Sequence, residues 1–453
     1  MPEAAEPPPP PPPPFSPPPP DLRALDPLVS PYGVVSGVSD PRRSSLLGRS
    51  YRSTAHVGDP AGSRGKGSDR QVVAGGRALD STGLARFVAL AEAAERYAGC
   101  DVLGEEHFWA TARDLAGDRV TGDCLEFERF PTCSAAEYAH PSRRIVPFDP
   151  DAPIRWTRGT DLITRRPVWV PAVMACYGIT DQTPEELFNY PISTGYAVHT
   201  DPVEAVVRGI AEVVERDIVA VLWLQRLPLP SLPPATLGDE VFRLVANLER
   251  RFVRPYFFDA TTDLGVPTVY CVLVAEHDRL ARTTVAAGTG RGLAEAALKS
   301  AHEAVAIIES LHEGGDHPAP EEPADLRALT DAARYMARPD RAEAFSFLLD
   351  DADERVATGP GAELPADPVA ALDLLTTRLA DAGARPVVMD RTTRELADCG
   401  FTAVSVVIPD LQPMSVDPLI QFRGHRRLYE SPARMGYGVR TEAELNPWPQ
   451  PFA

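Results

Sequence analysis

One charged pattern occurs twice in this sequence, each time near the end of a segment whose apolar residues recur at helical spacing. Each copy consists of two glutamates three residues apart and the arginine that follows: Glu92, Glu95 and Arg96, then Glu212, Glu215 and Arg216. Glutamates at this spacing share one face of a helix, and carboxylates beside a buried stripe are costly unless something neutralises them. A divalent cation would do so, because hard cations prefer carboxylate oxygens. A single copy is most often a solvated helix edge, whereas two copies favour a metal site.

Local patterns predict the elements that must position these residues. Residues 193–223 indicate a turn of small polar residues, able to present backbone N–H groups, followed by a long helix. Asp201 is placed to cap that helix, with a proline in its first position. The first copy lies in a helix that Ser81 or the residue before it could cap, after a short strand, Gln71–Ala74, that ends in two glycines.

A third predicted helix also carries charged residues on one face. It spans Leu293–Leu311, follows a Gly-Thr-Gly turn, and carries Lys299 and Glu303 on one face with His302 beside them. His302 could take part in proton transfer, although a packed or surface histidine is the commoner case. The turn is too short to indicate a phosphate loop, and the chain contains no G-x-x-x-x-G-K-[ST] motif.

The rest of the chain contains both strand and helix patterns. A strand is expected over Pro167–Tyr177, and the strands Val387–Met389 and Ala403–Ile408 flank a helical segment, which predicts a β-α-β unit. Residues 1–24 contain two runs of proline that cannot build a core, so they predict a disordered tail. We expect residues 25–453 to form the folded domain.

Composition and charge exclude several classes of protein. The chain has 453 residues, of which 44% are hydrophobic and 24% charged, as in ordinary globular proteins. Its net charge of −19 argues against nucleic acid as a partner. The sequence has no apolar run of transmembrane length and no signal peptide pattern, and its six scattered cysteines form no CxxC pair. We therefore expect a cytoplasmic protein without a membrane segment, a zinc site or a disulfide framework.

Several segments, in order, resemble the YcaO family, and more narrowly its stand-alone members that form azoline rings in ribosomally synthesised peptides. The similar segments include both E-x-x-E-R helices, the third helix and two later landmarks: Leu90–Tyr97, Ser193–Asp217, Ala286–Ala304, Leu329–Pro339 and Val406–Met414. The sequence LNPWPQPF, Leu445–Phe452, is similar to the proline-rich C-terminus of the cyclodehydratases in this family. The resemblance extends from about residue 26 to residue 453.

The resemblance implies an α+β YcaO-like domain, with helices packed on mixed sheets and an ATP cleft between them. It implies that five glutamates bind Mg²⁺ and, through it, the phosphates of ATP: Glu92, Glu95, Glu212, Glu215 and Glu303. It further implies nucleotide contacts for seven residues: Arg77, Arg96, Ser193, Thr194, Gly195, Arg216 and Lys299. Magnesium makes this arrangement reasonable, because carboxylates and a triphosphate repel each other unless a cation bridges them.

The resemblance also suggests a role for the C-terminus. Pro447, Pro449 and Pro451 occupy every second position and give a stiff, extended segment. We expect this segment to place Phe452 and Ala453 near the chemistry, where the terminal carboxylate would help proton transfer. A frayed end is the usual alternative for the last residues of a chain.

The implied reaction is ATP-dependent cyclodehydration of a ribosomal precursor peptide, in which a Cys, Ser or Thr side chain attacks the preceding backbone amide. A separate E1-like or ocin-ThiF-like protein is expected to present the peptide, and the sequence leaves open whether the chain forms a homodimer. Two alternatives also stay open: a YcaO enzyme that uses another nucleophile to make thioamides or amidines, and a non-catalytic scaffold. Val88, Lys299 and Ala306 replace the serine, arginine and glutamine of the family pattern, which favours the scaffold.

Overall fold

The computed structural model describes residues 21–58, 72–100, 108–117, 123–142, 144–313, 321–326, 329–359, 361–415 and 417–452. Residues 1–20 of the predicted tail and the terminal Ala453 lie outside the described residues. Asp21–Ala24, also assigned to the tail by the sequence, form a hydrogen-bonded turn that leads into the buried Leu25. None of the helices within these ranges combines the length and the apolar character needed to cross a bilayer.

The described chain contains strands and helices throughout its length. The strands are β1 (Val35–Val38), β2 (Arg42–Arg43), β3 (Ser50–Val57), β4 (Val73–Leu79), β5 (Phe108–Ala110), β6 (Asp123–Cys124), β7 (Ile154–Asp161), β8 (Pro167–Pro171), β9 (Tyr196–His199), β10 (Arg254–Asp259), β11 (Thr268–Val274), β12 (Thr283–Thr289), β13 (Val387–Asp390) and β14 (Thr402–Val407). The helices are α1 (Thr82–Ala98), α2 (Ala112–Gly117), α3 (Ala135–Ala139), α4 (Ala172–Ala175), α5 (Pro202–Gln225), α6 (Asp239–Glu249), α7 (Leu293–Glu313), α8 (Leu329–Met336), α9 (Ser346–Leu349), α10 (Pro368–Asp381), α11 (Arg394–Asp398) and α12 (Arg427–Arg434).

The strands form three sheets. One has the order β1-β3-β2 with β4 also paired to β3, and a second has the order β10-β11-β12. The largest has the order β6-β8-β7-β13-β14-β9, with β5 also paired to β7. Pairing is antiparallel except between β6 and β8. The α+β prediction is confirmed, because long helices cover faces of sheets that are almost wholly antiparallel.

Three strand–helix units, one in each sheet, place the candidate site. Helix α1 follows β4 and packs back on it, α5 follows β9, and α7 follows β12. Close packing requires a small residue on the strand: a Cβ at Gly76 of β4 would lie 2.1 Å from the Ala85 carbonyl oxygen of α1. Ser81 caps α1 by accepting the Leu84 N–H at 3.0 Å, which confirms one of the two caps that the sequence allows.

Helix α5 forms the centre of the molecule. The predicted cap is confirmed, because the Asp201 carboxylate accepts the Val203 N–H at 2.8 Å and Pro202 takes the first position. Every residue from Asp217 to Gln225 is buried, so the second half of the helix is enclosed on all sides. This half packs with apolar residues of β10, β11, β12 and α12, whereas the first half packs against β14 and α10.

The structure corrects three predictions of secondary structure. The strand expected to end at Gly75 and Gly76 continues through both glycines to Leu79. Gly76 lies against α1, which covers that face of the strand. The strand expected over Pro167–Tyr177 stops at Pro171 and gives way to α4. Strands β13 and β14 lie side by side and antiparallel, with the short α11 in the connection, so they are a hairpin-like pair and no parallel β-α-β unit.

Candidate active site

The first strand–helix unit fixes the carboxylate of Glu92 at both oxygens. Oε2 accepts the N–H of Gly75 at 3.0 Å, and Oε1 accepts Arg96 Nη2 at 2.6 Å. Gly75 lies on β4 and Arg96 lies one turn further along α1, so the unit satisfies Glu92 by itself. Glu95 is half-buried on the same helix, and its carboxylate adds to the charge of Glu92.

The second unit repeats this geometry. The N–H of Gly195 donates to Glu212 Oε2 at 3.0 Å, and Arg216 Nη2 lies 3.4 Å from Glu212 Oε1. The glycine and the glutamate are 17 residues apart in both units. Gly195 has a φ of +86°, and a Cβ there would lie 2.1 Å from the carbonyl oxygen of Val406, so the position requires glycine. The two units therefore contribute equivalent carboxylates.

Glu215 connects the second unit to the third. Arg216 Nη1 lies 3.0 Å from Glu215 Oε1, and Thr289 at the end of β12 donates its hydroxyl to Glu215 Oε2 at 3.3 Å. Glu303 of α7 is open to the space between the helices, and its charge interacts with those of Glu215, Arg216 and Glu92. The five predicted glutamates thus face one cleft, which is built by α1, α5 and α7.

The crowded carboxylates perturb one another. Burial, and then the charges of Glu212 and Glu92, raise the pKa of Glu95 well above its ordinary value. Burial raises the pKa of Glu212 to about 7, with Arg216 opposing and Glu215 reinforcing the rise. Glu303 is reachable from the cleft but lies deep among protein atoms; this depth, and then the charge of Glu215, raise its pKa to about 8. The cleft contains more negative charge than Arg96 and Arg216 neutralise.

Two of the predicted phosphate-binding cations are paired elsewhere. Lys299 Nζ lies 2.8 Å from the Glu295 carboxylate one turn earlier on α7. Arg77 Nη2 lies 2.7 Å from the carboxylate of the buried Glu309, which is not one of the five cleft glutamates. His302 faces Arg77: burial, and then the charge of Arg77, lower the pKa of His302 to about 4. His302 is therefore neutral at physiological pH and a weak base.

The turn at residues 193–195 precedes α5 as expected, but one of its backbone N–H groups already makes a hydrogen bond within the protein. Ser193 and Thr194 are half-buried in the turn before β9, while the Gly195 N–H is donated to Glu212. A direct bond from that N–H to a nucleotide would require Glu212 to move.

The C-terminal segment is docked along α5, so the alternative of a frayed end is wrong for residues 445–452. The Asn446 N–H donates to the Leu224 carbonyl at 2.8 Å, and Trp223 Nε1 donates to the Trp448 carbonyl at 3.0 Å. Gln450 Nε2 donates to the Val219 carbonyl at 3.2 Å. The bonds move back along α5 from Leu224 to Val219, so the segment runs antiparallel to the helix and toward its glutamates.

The predicted prolines alternate with the residues that anchor this segment. Pro447 is exposed, whereas Pro449 and Pro451 are buried. The ring of Phe452 is 2% exposed and its centroid lies 4.8 Å from the guanidinium carbon of Arg216. The last described residue therefore reaches the cleft.

Sequence reasoning missed two kinds of contact at this site. The Gly-Thr-Gly pattern indicates a plain turn, yet the hydroxyl of Thr289 binds Glu215. The bonds of the C-terminal segment to α5 are the second kind: the Asn446 N–H and the Trp448 carbonyl bind through the backbone, and Gln450 binds through its side chain. The available signal was Gln450, because a polar side chain between two prolines needs a partner if it is buried.

Comparisons with known proteins identify the family and the fold. The sequence model of the YcaO cyclodehydratase family, described as ATP- and Mg²⁺-binding, matches residues 79–412. A curated protein of Rhizobium leguminosarum bv. trifolii, "Uncharacterized protein in tfuA 3'region", is 31% identical over 126 residues. That match covers 27% of this chain and 30% of the relative, so this chain spans less than a third of the curated protein's length.

Two solved structures share the fold. "Heterocyclase in complex with substrate and Cofactor" superposes with a TM-score of 0.78 and 23% identity, covering 95% of this chain and 57% of that chain. The E. coli microcin synthetase McbBCD complex with pro-MccB17 bound gives a TM-score of 0.58 and 14% identity, covering 91% of this chain and 100% of the matched chain. This chain spans little more than half of the heterocyclase chain.

The matching family model describes proteins that bind ATP and Mg²⁺, and this chain has the same fold as the solved heterocyclase. The family match covers most of the chain, and the protein belongs to the YcaO family.

The residues of the cleft fit these cofactors. In the part of the chain that the structure describes, no three His, Cys, Asp or Glu side chains are grouped as a finished metal site. The donors are nevertheless hard carboxylate oxygens, and the raised pKa values of Glu95, Glu212 and Glu303 show a surplus of negative charge that cations would relieve. Arg216 lies among these carboxylates, with Nη1 3.0 Å from Glu215 Oε1, and supplies a positive charge beside them.

Proposed function

We propose that this protein is an ATP-dependent cyclodehydratase that converts Cys, Ser or Thr residues of a ribosomal precursor peptide into thiazolines or oxazolines. The observation that carries the proposal is the docking of residues 445–452 along α5, with the Phe452 ring 4.8 Å from the guanidinium of Arg216 beside the glutamates. The family match supports the cofactors, and the solved heterocyclase supports a fold suited to this chemistry.

The proposed reaction removes one amide oxygen from the peptide. The side-chain sulfur or oxygen would attack the preceding carbonyl carbon: a C–S or C–O bond forms, the C=O π bond breaks, and the side-chain proton passes to the former carbonyl oxygen, which gives a hemiorthoamide. That oxygen would lose its proton and take the γ-phosphoryl group of ATP, with departure of ADP, and so become a good leaving group, while bound Mg²⁺ would screen the phosphate charge. Departure of phosphate and of the amide N–H proton leaves a C=N bond in a five-membered ring.

The protein's own residues position and screen these groups. Five carboxylates that face the cleft would hold Mg²⁺, and Arg96 and Arg216 would balance the phosphate charge once Mg²⁺ has taken their glutamate partners. The Ala453 carboxylate would accept or return the protons of the peptide. The carboxylates are those of Glu92, Glu95, Glu212, Glu215 and Glu303.

The prolines of the C-terminal segment would assist by restricting its conformation. Pro447, Pro449 and Pro451 would limit the segment to one extended path, which lowers the entropy lost in ordering it. Their proposed role is therefore to place the chain end and not to contact the reacting atoms.

A second protein is proposed to present the peptide. The McbBCD synthetase with pro-MccB17 bound is a complex that includes a chain of this fold. By analogy, we propose that an E1-like or ocin-ThiF-like partner binds the precursor and delivers its ring-forming residues to the cleft.

The C-terminal segment gives the sharpest test. Deletion of residues 447–453 should abolish ring formation while Mg²⁺-dependent nucleotide binding changes by less than about threefold, because the glutamates stay in place. Since deletion also exposes Trp223, a second variant adds one glycine after Ala453, which moves the carboxylate and keeps the packing. Product mass spectrometry with precursor and partner measures the outcome, and full activity in both variants would refute the role of the C-terminus.

Product mass also separates the open alternatives. Loss of water identifies an azoline, whereas replacement of oxygen by sulfur identifies a thioamide. A scaffold without catalysis would show no Mg²⁺-dependent ATP binding in calorimetry and no change on Glu212→Ala, whereas the proposed enzyme should bind and lose binding in that variant.

A further inference from the structure

The contact between Arg216 and Phe452 joins two parts of the molecule that the proposed reaction needs together. The guanidinium is held on one side by Glu212 and Glu215, at 3.4 Å and 3.0 Å. The Phe452 ring, 4.8 Å away, is its other neighbour. A cation over an aromatic face is attracted by the ring quadrupole, most strongly where water is excluded. Arg216 and Phe452 are 19% and 2% exposed, respectively.

The equivalent arginine of the first unit lacks this partner. Arg96 is held by Glu92 in the same way, but within the described chain no aromatic ring lies over its guanidinium. The two units share the glycine–glutamate bond and the glutamate–arginine pair, but only Arg216 of the second unit contacts the C-terminal segment. This difference makes the first unit a natural control.

The rest of the segment is anchored independently of the cleft. Trp448 and Gln450 bind α5 through hydrogen bonds that involve no glutamate. Phe452 is the residue whose contact depends on a charged group of the cleft. A change in the cleft would therefore act on the last residues and leave the path of the segment unchanged.

We propose that Arg216 and Phe452 are positioning residues that couple Mg²⁺ loading of the cleft to the placement of the chain end. A cation bound to Glu212 and Glu215 takes the carboxylates that now hold Arg216. The arginine then loses its two anchors, and the Phe452 ring, which otherwise packs in the apolar core with Trp223, loses the fixed cation beside it. This inference rests on the proposed function in one respect, the use of this chain end in catalysis. The contact between Arg216 and Phe452 can be tested without any catalytic turnover.

The test measures how readily carboxypeptidase A removes Ala453, because removal requires Phe452 to leave its place. The release is followed by mass spectrometry of the full-length protein, without cofactor. Glu212→Gln with Glu215→Gln imitates neutralisation of the second unit and should speed release about fivefold, the factor that corresponds to about 1 kcal/mol. The matched variant, Glu92→Gln with Glu95→Gln, should leave the rate within about twofold of wild type. Equal acceleration by both double variants would overturn the proposal.

A third variant separates coupling from general loosening. Phe452→Leu keeps an apolar side chain but loses the ring, so release should be fast in this variant whether or not Glu212 and Glu215 are neutralised. If those glutamine substitutions still speed release about fivefold when combined with Phe452→Leu, the link does not pass through the ring. Far-ultraviolet circular dichroism on each variant confirms that the fold is retained before rates are compared.

The cofactor itself provides the last arm. In the wild type, Mg²⁺ with the non-hydrolysable analogue AMPPCP should speed release relative to AMPPCP without added Mg²⁺, and Phe452→Leu should abolish that response. If the glutamine variants behave as stated and the cofactor has no effect, the coupling to loading is wrong. If the cofactor acts and no azoline forms with any precursor, the proposed function fails while the coupling stands.

Discussion

At the scale of single residues, the cleft is defined by carboxylates that the fold has crowded together. A sequence pattern located four of the five glutamates, because E-x-x-E-R is visible without any structure, and the family resemblance added Glu303. Their pKa values follow from which helices face one another, since Glu95 is raised by Glu212 across the cleft and Glu303 by Glu215. No local pattern contains that information.

The first prediction concerns protons and magnesium. Glu212 and Glu303, with pKa values of about 7 and about 8, retain much of their proton occupancy at neutral pH. Mg²⁺ binds carboxylates, so those protons must leave, and affinity for Mg²⁺ with AMPPCP should rise from about pH 6 to about pH 9. Calorimetry in two buffers of different ionisation enthalpy measures the protons released.

Glu303→Gln is the informative variant for this prediction. It removes the group with the higher of these two pKa values, so it should release fewer protons on binding and flatten the upper part of the pH profile. Glu295→Gln, which changes a carboxylate that Lys299 already holds, should leave proton release unchanged. An affinity that is independent of pH in the wild type would contradict the protonated state of the cleft.

The same shifts affect the protein without cofactors. In the unfolded chain a glutamate loses its proton near its ordinary pKa of 4.5. The same carboxyl group keeps its proton to a higher pH in the folded state, because folding raises its pKa. The folded state therefore binds more protons between about pH 4.5 and about pH 8, and stability should fall as pH rises through this range. Urea unfolding at several pH values measures the fall. Bound Mg²⁺ should remove it, because the cation replaces the protons as the neutralising charge.

At the scale of elements, the site consists of three strand–helix units. The first two share a hydrogen bond from a glycine N–H to a glutamate, and no such bond is found in the described part of the third. Helix positions and caps followed from apolar spacing, Asp201 and Ser81, since both signals are local. The closing hydrogen bonds from Gly75 and Gly195 to their glutamates could not be predicted, because they depend on how far each helix folds back over its strand. The antiparallel pairing of β13 and β14 was also beyond local pattern, since a strand, helix, strand order suits either direction.

Gly195 allows a prediction at this scale. Gly195→Ala should destabilise the protein by about 2–4 kcal/mol, because the residue has a positive φ and its Cβ would strike the Val406 carbonyl. Gly383→Ala is the matched control, with a φ of +77° and no atom near its Cβ, and should cost only roughly 1 kcal/mol. Urea unfolding followed by circular dichroism measures both, and equal losses would show that conformation alone matters at Gly195.

At the scale of the whole molecule, α5 joins the cleft to the C-terminal third of the chain. Its first half presents Glu212, Glu215 and Arg216, while its buried second half accepts the docked residues 445–452. The family resemblance suggested that the C-terminus acts near the cleft. The route was not visible in the sequence, because it depends on hydrogen bonds to α5 carbonyls that any helix offers.

Between these halves, a buried ion pair ties α12 to α5. Arg427 donates to both oxygens of Asp217, which is fully buried, and to Asp263 in the loop between β10 and β11. Asp217 also accepts the backbone N–H of Gln412 at 2.8 Å. Arg427 thus holds three separate segments around the centre of the molecule.

Arg427→Met should therefore destabilise the protein by about 3–5 kcal/mol, because it leaves the charge of Asp217 buried with a single N–H as partner. Arg434→Met on the same helix is the control: its carboxylate partners are Glu430, which is 46% exposed, and Asp263 at 3.7 Å, which keeps its two bonds from Arg427, so its loss should cost less than about 1 kcal/mol. Thermal unfolding compares the two variants with wild type. If Arg427→Met unfolds like Arg434→Met, the pair does not hold α12 against α5, and the C-terminal segment must owe its position to its own contacts with α5.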